Sequence, residues 1–161
     1  MAERDKQIMA DEHFEIAHRL HLKGKIEDAI AAYKISIELH PTAKAHTFLG
    51  WAYSLQGRYE EAINECYKAI ELDPQFGNPY NDVGSYLIRL DRHDDAIEWL
   101  ERAIEAEDYE PRHYPFYNLG MVYEKRGDWF TAMKYYNEAL ELNPEYETAQ
   151  TAVLRLTTLL N

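Results

Sequence analysis

The stretch that decides the fold runs from Phe116 to Pro144, FYNLGMVYEKRGDWFTAMKYYNEALELNP. Its first part carries apolar or small residues at Phe116, Leu119, Gly120 and Tyr123, and its second at Trp129, Ala132, Met133, Tyr136, Ala139 and Leu140. Both spacings mark one face of an α-helix, where residues three and four apart are neighbours. Gly127 stands between the two runs, at a helix end that accepts a left-handed residue. Pro144 stops the second run, because proline has no amide hydrogen and clashes with the preceding turn. The stretch reads as two antiparallel helices joined by a tight turn.

Outward from this stretch the pattern returns three times. Second helices follow Ile26, Ala29, Ile30, Tyr33, Ser36, Ile37, then Tyr59, Ala62, Ile63, Cys66, Ala69, Ile70, then His93, Ala96, Ile97, Leu100, Ala103, Ile104. First helices follow His13, Ile16, Ala17, Leu20, then His46, Leu49, Gly50, Tyr53, then Tyr80, Val83, Gly84, Leu87. Two of the stops, Pro41 and Pro74, lie 33 residues apart. Gly50, Gly84 and Gly120, with Ala62, Ala96 and Ala132, let paired helices approach closely, and large residues such as Tyr53 and Tyr136 fill the spaces between. One such hairpin cannot bury its own apolar face, so neighbours must stack. The prediction is a single all-α domain over residues 1–161, with repeats at about 10–42, 43–76, 77–112 and 113–146 and a capping helix at about 147–160.

The third repeat departs from the pattern. Asp91 replaces the turn glycine, no proline ends the repeat, and extra residues around Tyr109–Arg112 predict an irregular junction with the fourth. Asp91, Asp94 and Asp95 are expected to cap the start of the following helix, and His93 takes a core-facing position.

The arrangement resembles the tetratricopeptide repeat family. Phe116-x-x-Leu119-Gly120-x-x-Tyr123, Ala132-x-x-x-Tyr136 and Pro144 follow its signature, and the second repeat does so through Leu49, Gly50, Tyr53, Ala62 and Pro74. The resemblance implies a right-handed superhelix, an α-solenoid whose first helices line a concave surface. At about 100° per residue, the side opposite the packed face holds Phe14, His18, His21 and Leu22 in the first repeat, and Thr47, Phe48, Trp51, Ser54 and Leu55 in the second. The third contributes Asn81, Asp82, Ser85, Ile88 and Arg89; the fourth contributes Tyr114, Tyr117, Asn118, Met121, Glu124 and Lys125. Exposed aromatics among polar groups mark binding surfaces. The predicted peptide-binding groove comprises Phe14, His18, Phe48, Trp51, Asn81, Arg89, Tyr114, Tyr117, Asn118, Met121 and Lys125, with the two asparagines suited to a peptide backbone. Relatives that bind chaperone C-termini use a clamp of Lys and Asn for two carboxylates. Phe14 and His18 stand at its positions in the first repeat, which argues against chaperone-tail recognition.

Composition bounds the remaining readings. Seventeen Lys and Arg against 29 Asp and Glu give a net charge of −12, which argues against nucleic acid and anionic membranes as partners. No apolar run approaches the roughly 20 residues of a membrane helix, and the charged amino terminus does not read as a secretory signal. The single cysteine, Cys66, sits at a core position and fits a reducing compartment; a cytoplasmic location is expected. No phosphate loop, paired-cysteine metal site or nucleophile elbow is present. Glu15, His18 and His21 make a poor metal-ligand set, so neither metal nor cofactor is expected. The function expected is a non-catalytic protein-interaction scaffold or adaptor, with a self-assembling structural subunit as the alternative. In the capping helix, Ala149, Val153, Leu156 and Leu160 form the packing stripe, while Leu154 and Leu159 lie off it and are candidates for a homodimer contact.

Overall fold

The computed structural model describes residues 1–161 as nine α-helices without a β-strand. They are α1 (Glu3–Leu22), α2 (Ile26–Leu39), α3 (Ala43–Leu55), α4 (Tyr59–Leu72), α5 (Asn78–Arg89), α6 (His93–Glu105), α7 (His113–Lys125), α8 (Trp129–Leu142) and α9 (Glu147–Leu160). Successive pairs form four hairpins, each stacked on the next, and α9 packs on α8. The first helix begins at Glu3, ahead of the boundary expected near residue 10. Its added turns are held by Ser36, whose hydroxyl donates to the Ala10 carbonyl at 2.7 Å.

The hairpin turns share one geometry. Gly24, Gly57 and Gly127 adopt φ of 76°, 73° and 79°, and Asp91 adopts 59° at the matching place in the third hairpin. Each turn is closed by an amide reaching back five residues, as Arg58 does to the Tyr53 carbonyl at 3.0 Å and Arg92 to that of Leu87 at 2.8 Å. This satisfies the free carbonyls at the helix end and requires a left-handed residue there. Asp91 meets the requirement against the preference of a residue with a Cβ. The capping expected of the aspartates is corrected by the structure. Arg92 holds the N-cap of α6 without a side-chain bond. Asp95 instead pairs with Arg92 at 3.0 Å, and Asp94 with Arg126 of the next hairpin at 2.7 Å.

Within hairpins the small positions act as the spacing implies. A side chain added at Gly84 would run into Leu100, and one at Gly120 into the ring of Tyr136. Both neighbours are fully buried, so the two backbones approach only because glycine stands there.

The α6–α7 connection is irregular. Arg112 donates to the carbonyls of Ile104 (2.9 Å) and Ala106 (2.8 Å), closing the end of α6 without a proline. The segment runs beside the α4–α5 loop: the Gly77 amide donates to the Asp108 carbonyl at 2.7 Å, and that of Asp108 to Gln75 at 3.1 Å. The Glu110–Pro111 peptide is cis. Tyr109, only 3% exposed, packs over Gly77 and is turned toward the concave face.

In α9 the buried residues are Ala149, Ala152 and Leu156. Ala152, expected off the stripe, is therefore part of the packing face, while Val153 and Leu160 are only half-buried. Ala152 and Leu156 join Ala132 and Tyr136 in a small core that closes the carboxyl-terminal end.

Candidate functional site

The concave face divides into three parts. At the amino-terminal end the chain packs its own aromatics together. Phe14, expected exposed, is 8% exposed: Phe48 meets it edge-on at 5.2 Å between ring centroids, Tyr33 lies at 5.6 Å, and the Lys44 ammonium sits 4.8 Å above its ring. His18 stacks on Phe14 at 6.2 Å and meets Phe48 at 5.2 Å. His21 is buried beneath Trp51, 4.1 Å between ring centroids, with Nδ1 3.2 Å from the Tyr33 hydroxyl and Nε2 without a hydrogen-bond partner. Burial, and secondarily the neighbouring His18, hold its imidazole below the usual range.

The middle of the face is open. A cavity of about 450 Å³ lies between α3, α5 and α7, walled by Phe48, Trp51 and Tyr114 and by Tyr109 and Pro111 of the irregular junction. Trp51 remains 39% exposed and Tyr114 41%. Across the floor, the Asn118 side-chain amide donates to the Asn81 carbonyl oxygen at 2.9 Å, and both residues are buried. The bond uses one N–H of Asn118 and one lone pair of the Asn81 oxygen. The amide group of Asn81 and the carbonyl oxygen of Asn118 remain wholly available, with one further N–H on Asn118. A second cavity of about 490 Å³ continues past Trp51, Asp82 and Ser85 toward Arg89. The Arg89 Nε donates to the Tyr59 hydroxyl at 3.2 Å.

The carboxyl-terminal part is separate. Tyr117, Met121 and Lys125 border a depression with Arg155 of α9. There Glu124 accepts from the Arg155 guanidinium at 2.7 Å and from the Tyr136 hydroxyl at 2.6 Å. Tyr146, at the start of α9, packs edge-on against Tyr114 (5.7 Å) and Tyr117 (5.3 Å).

Of the predicted groove residues, the structure gathers Phe48, Trp51, Asn81, Tyr114 and Asn118 around the central cavity and places Arg89 on its continuation. Phe14 and His18 belong to the self-packed cluster; Tyr117, Met121 and Lys125 belong to the carboxyl-terminal depression. Sequence reasoning missed Tyr109 and Pro111 as walls. The only signal was that their loop was longer than its counterparts. Cys66 is fully buried, and burial pushes its thiol well up, which suits packing rather than reactivity. No helix is long and apolar enough to cross a membrane.

Two models of the tetratricopeptide repeat match the chain, over residues 43–76 and 76–145. Among curated proteins, the chain is 29% identical to protein bimA of Emericella nidulans over 126 residues, 77% of this chain and 15% of that one. It is 27% identical to the type IV pilus assembly protein PilF of Pseudomonas aeruginosa over 122 residues, 75% of this chain and 48% of that one. The chain thus spans less than half the length of these relatives. The solved structure of Pseudomonas aeruginosa PilF superposes with a TM-score of 0.87 at 23% identity, covering 94% of this chain and 69% of that one.

Proposed function

Because the chain belongs to the tetratricopeptide repeat family, we propose that it is a non-catalytic scaffold that holds a segment of another protein in the central part of its concave face. The family, and relatives such as the pilus assembly protein, support an interaction or assembly role. The observation that carries the groove reading is the central cavity: exposed Trp51 and Tyr114 both line it, and the Asn81–Asn118 pair leaves amide donors and a carbonyl acceptor beside it. Large aromatic side chains anchor interfaces because they bury much surface at little entropic cost. A flat amide pair suits the backbone of an extended peptide.

The test is selection of binders from a random peptide display library on the wild-type protein, with affinity measurements on variants. Trp51→Ala is expected to weaken the selected peptides by about 2 kcal/mol or more while leaving helicity and melting temperature nearly unchanged. Peptides whose affinity ignores Trp51 would overturn the reading.

A second reading is self-association through α9, on which Leu154 is 69% and Leu159 58% exposed. Sedimentation over a concentration range decides it: a dimer that Leu154→Glu with Leu159→Glu turns into a folded monomer supports the reading, and a monomer at every concentration removes it.

A further inference from the structure

Asp82 stands midway along α5, on the central helix of the groove, and borders both of its cavities. It is half-buried, yet no group of the chain donates a hydrogen bond to its carboxylate and no cationic side chain reaches it. Two other shielded carboxylates are provided for. Glu65 takes His46 at 2.6 Å and Lys68 at 2.9 Å. Glu124 takes Arg155 at 2.7 Å. Arg89, the one cation lining the two cavities, is engaged with Tyr59. Burial alone acts on Asp82 and pushes its carboxyl up to about 7. A charged group shielded from water without a partner lowers the stability of the free fold.

The surroundings suit a cation brought from outside. Trp51, Tyr109 and Tyr114 present aromatic surface around the same space, and aromatic faces attract ammonium and guanidinium groups. The long apolar stem of a lysine or arginine can lie on such a wall while its head reaches deeper. The chain's net charge of −12 draws basic segments toward it. We propose that the groove takes a partner-protein segment presenting a lysine or arginine side chain, whose head pairs with Asp82 while its stem lies against Trp51. This rests on the reading of the groove as a peptide site and adds the chemistry of its occupant. Asp82 is then a recognition residue whose unpaired state in the free protein is resolved on binding, which is how stability is exchanged for function at binding sites.

Peptides selected from the random display library provide the probe, and Asp82→Asn, which preserves shape, provides the variant. Four results are expected. The selected peptides are enriched in lysine or arginine at one position. Asp82→Asn weakens them by about tenfold or more. Replacing that basic residue by an uncharged analogue causes a similar loss on the wild type and little further loss on Asp82→Asn. Free Asp82→Asn melts higher than the wild type at pH 8, because the shielded charge is gone. A lower melting temperature for Asp82→Asn would show that the carboxylate serves the fold and would overturn the inference. Peptides that need Trp51 but carry no enriched basic residue, or bind Asp82→Asn unchanged, would overturn it and leave the groove reading standing. Peptides indifferent to Trp51→Ala would overturn both.

Discussion

Phe14 and Trp51 stand on the first helices of adjacent repeats, at positions that helix geometry assigns to the same concave side. Phe14 is 8% exposed, enclosed by Phe48, Tyr33, His18 and the ammonium of Lys44. Trp51 packs against the tilted ring of His21 and is 39% exposed, lining the central cavity. The difference lies in the neighbouring repeat that each one meets. Phe14 is met by Phe48, a large aromatic from the second repeat. Beyond Trp51 the third repeat offers Asn81, Asp82 and Ser85, which are too short to fill the space. Phe14 is core because its neighbour is large, and Trp51 stays open to a cavity because its neighbours there are small and polar.

The largest expected effect separates the two residues. Phe14→Ala should destabilise the fold by about 3–5 kcal/mol, as truncating a buried aromatic does, and Trp51→Ala by about 1 kcal/mol or less. Chemical denaturation of both variants checks this, and equal losses would erase the distinction between closed and open parts of the face.

A smaller effect is carried by pH and comes from His21, the residue that links the two parts. His18 lies on its own helix, and Tyr33 of α2 and Trp51 of α3 pack against it. Its folded-state pKa is lowered, so as pH falls the unfolded chain takes up the proton first. The stability provided by neutral His21 is fully present above the ordinary histidine value of 6.5 and is lost as pH falls from there toward the folded-state value. His21→Gln should melt below the wild type near neutral pH, with the gap narrowing as the solution is made mildly acidic. Asp82 works in the opposite sense: its raised carboxyl leaves stability intact below the usual carboxylate range and diminishes it as pH rises toward about 7. Melting curves of the two variants and the wild type over this range separate the contributions. A constant gap for His21→Gln would mean that His21 is not held neutral by the packing around Trp51.

The smallest effect concerns the hairpin that carries Asp82. Asp91→Gly relieves a left-handed residue at φ 59° and should stabilise the protein by about 1 kcal/mol or less. Peptide affinity should stay unchanged, because the turn lies away from the cavity walls. A change in affinity without a change in stability would show that the turn helps to shape the groove.

The repeat was legible because packing imposes it on every hairpin. Gly84 and Gly120 face Leu100 and Tyr136 as their spacing requires, and the left-handed turn persists even where Asp91 replaces glycine. The side of each helix facing the groove was also legible, from its angle to the packed face. What touches what across that face was not. The Asn81–Asn118 bond joins residues 37 apart in sequence, and Phe14 is buried by a side chain of the next repeat. The walls supplied by Tyr109 and Pro111 come from a connection whose path follows no period. Arg155 of the capping helix reaches Glu124, 31 residues earlier in the sequence.

Entry of a ligand between α3 and α7 can be observed at the residues that would meet it. Isotope-labelled protein is titrated with a selected peptide and followed by nuclear magnetic resonance at the Trp51 indole N–H and the side-chain amides of Asn81 and Asn118. These signals should shift together and saturate with the peptide, while signals from Leu154 and Leu159 on α9 stay in place. Shifts confined to α9 or to the convex face, with Trp51 and both asparagines unmoved, would contradict the groove as the binding site.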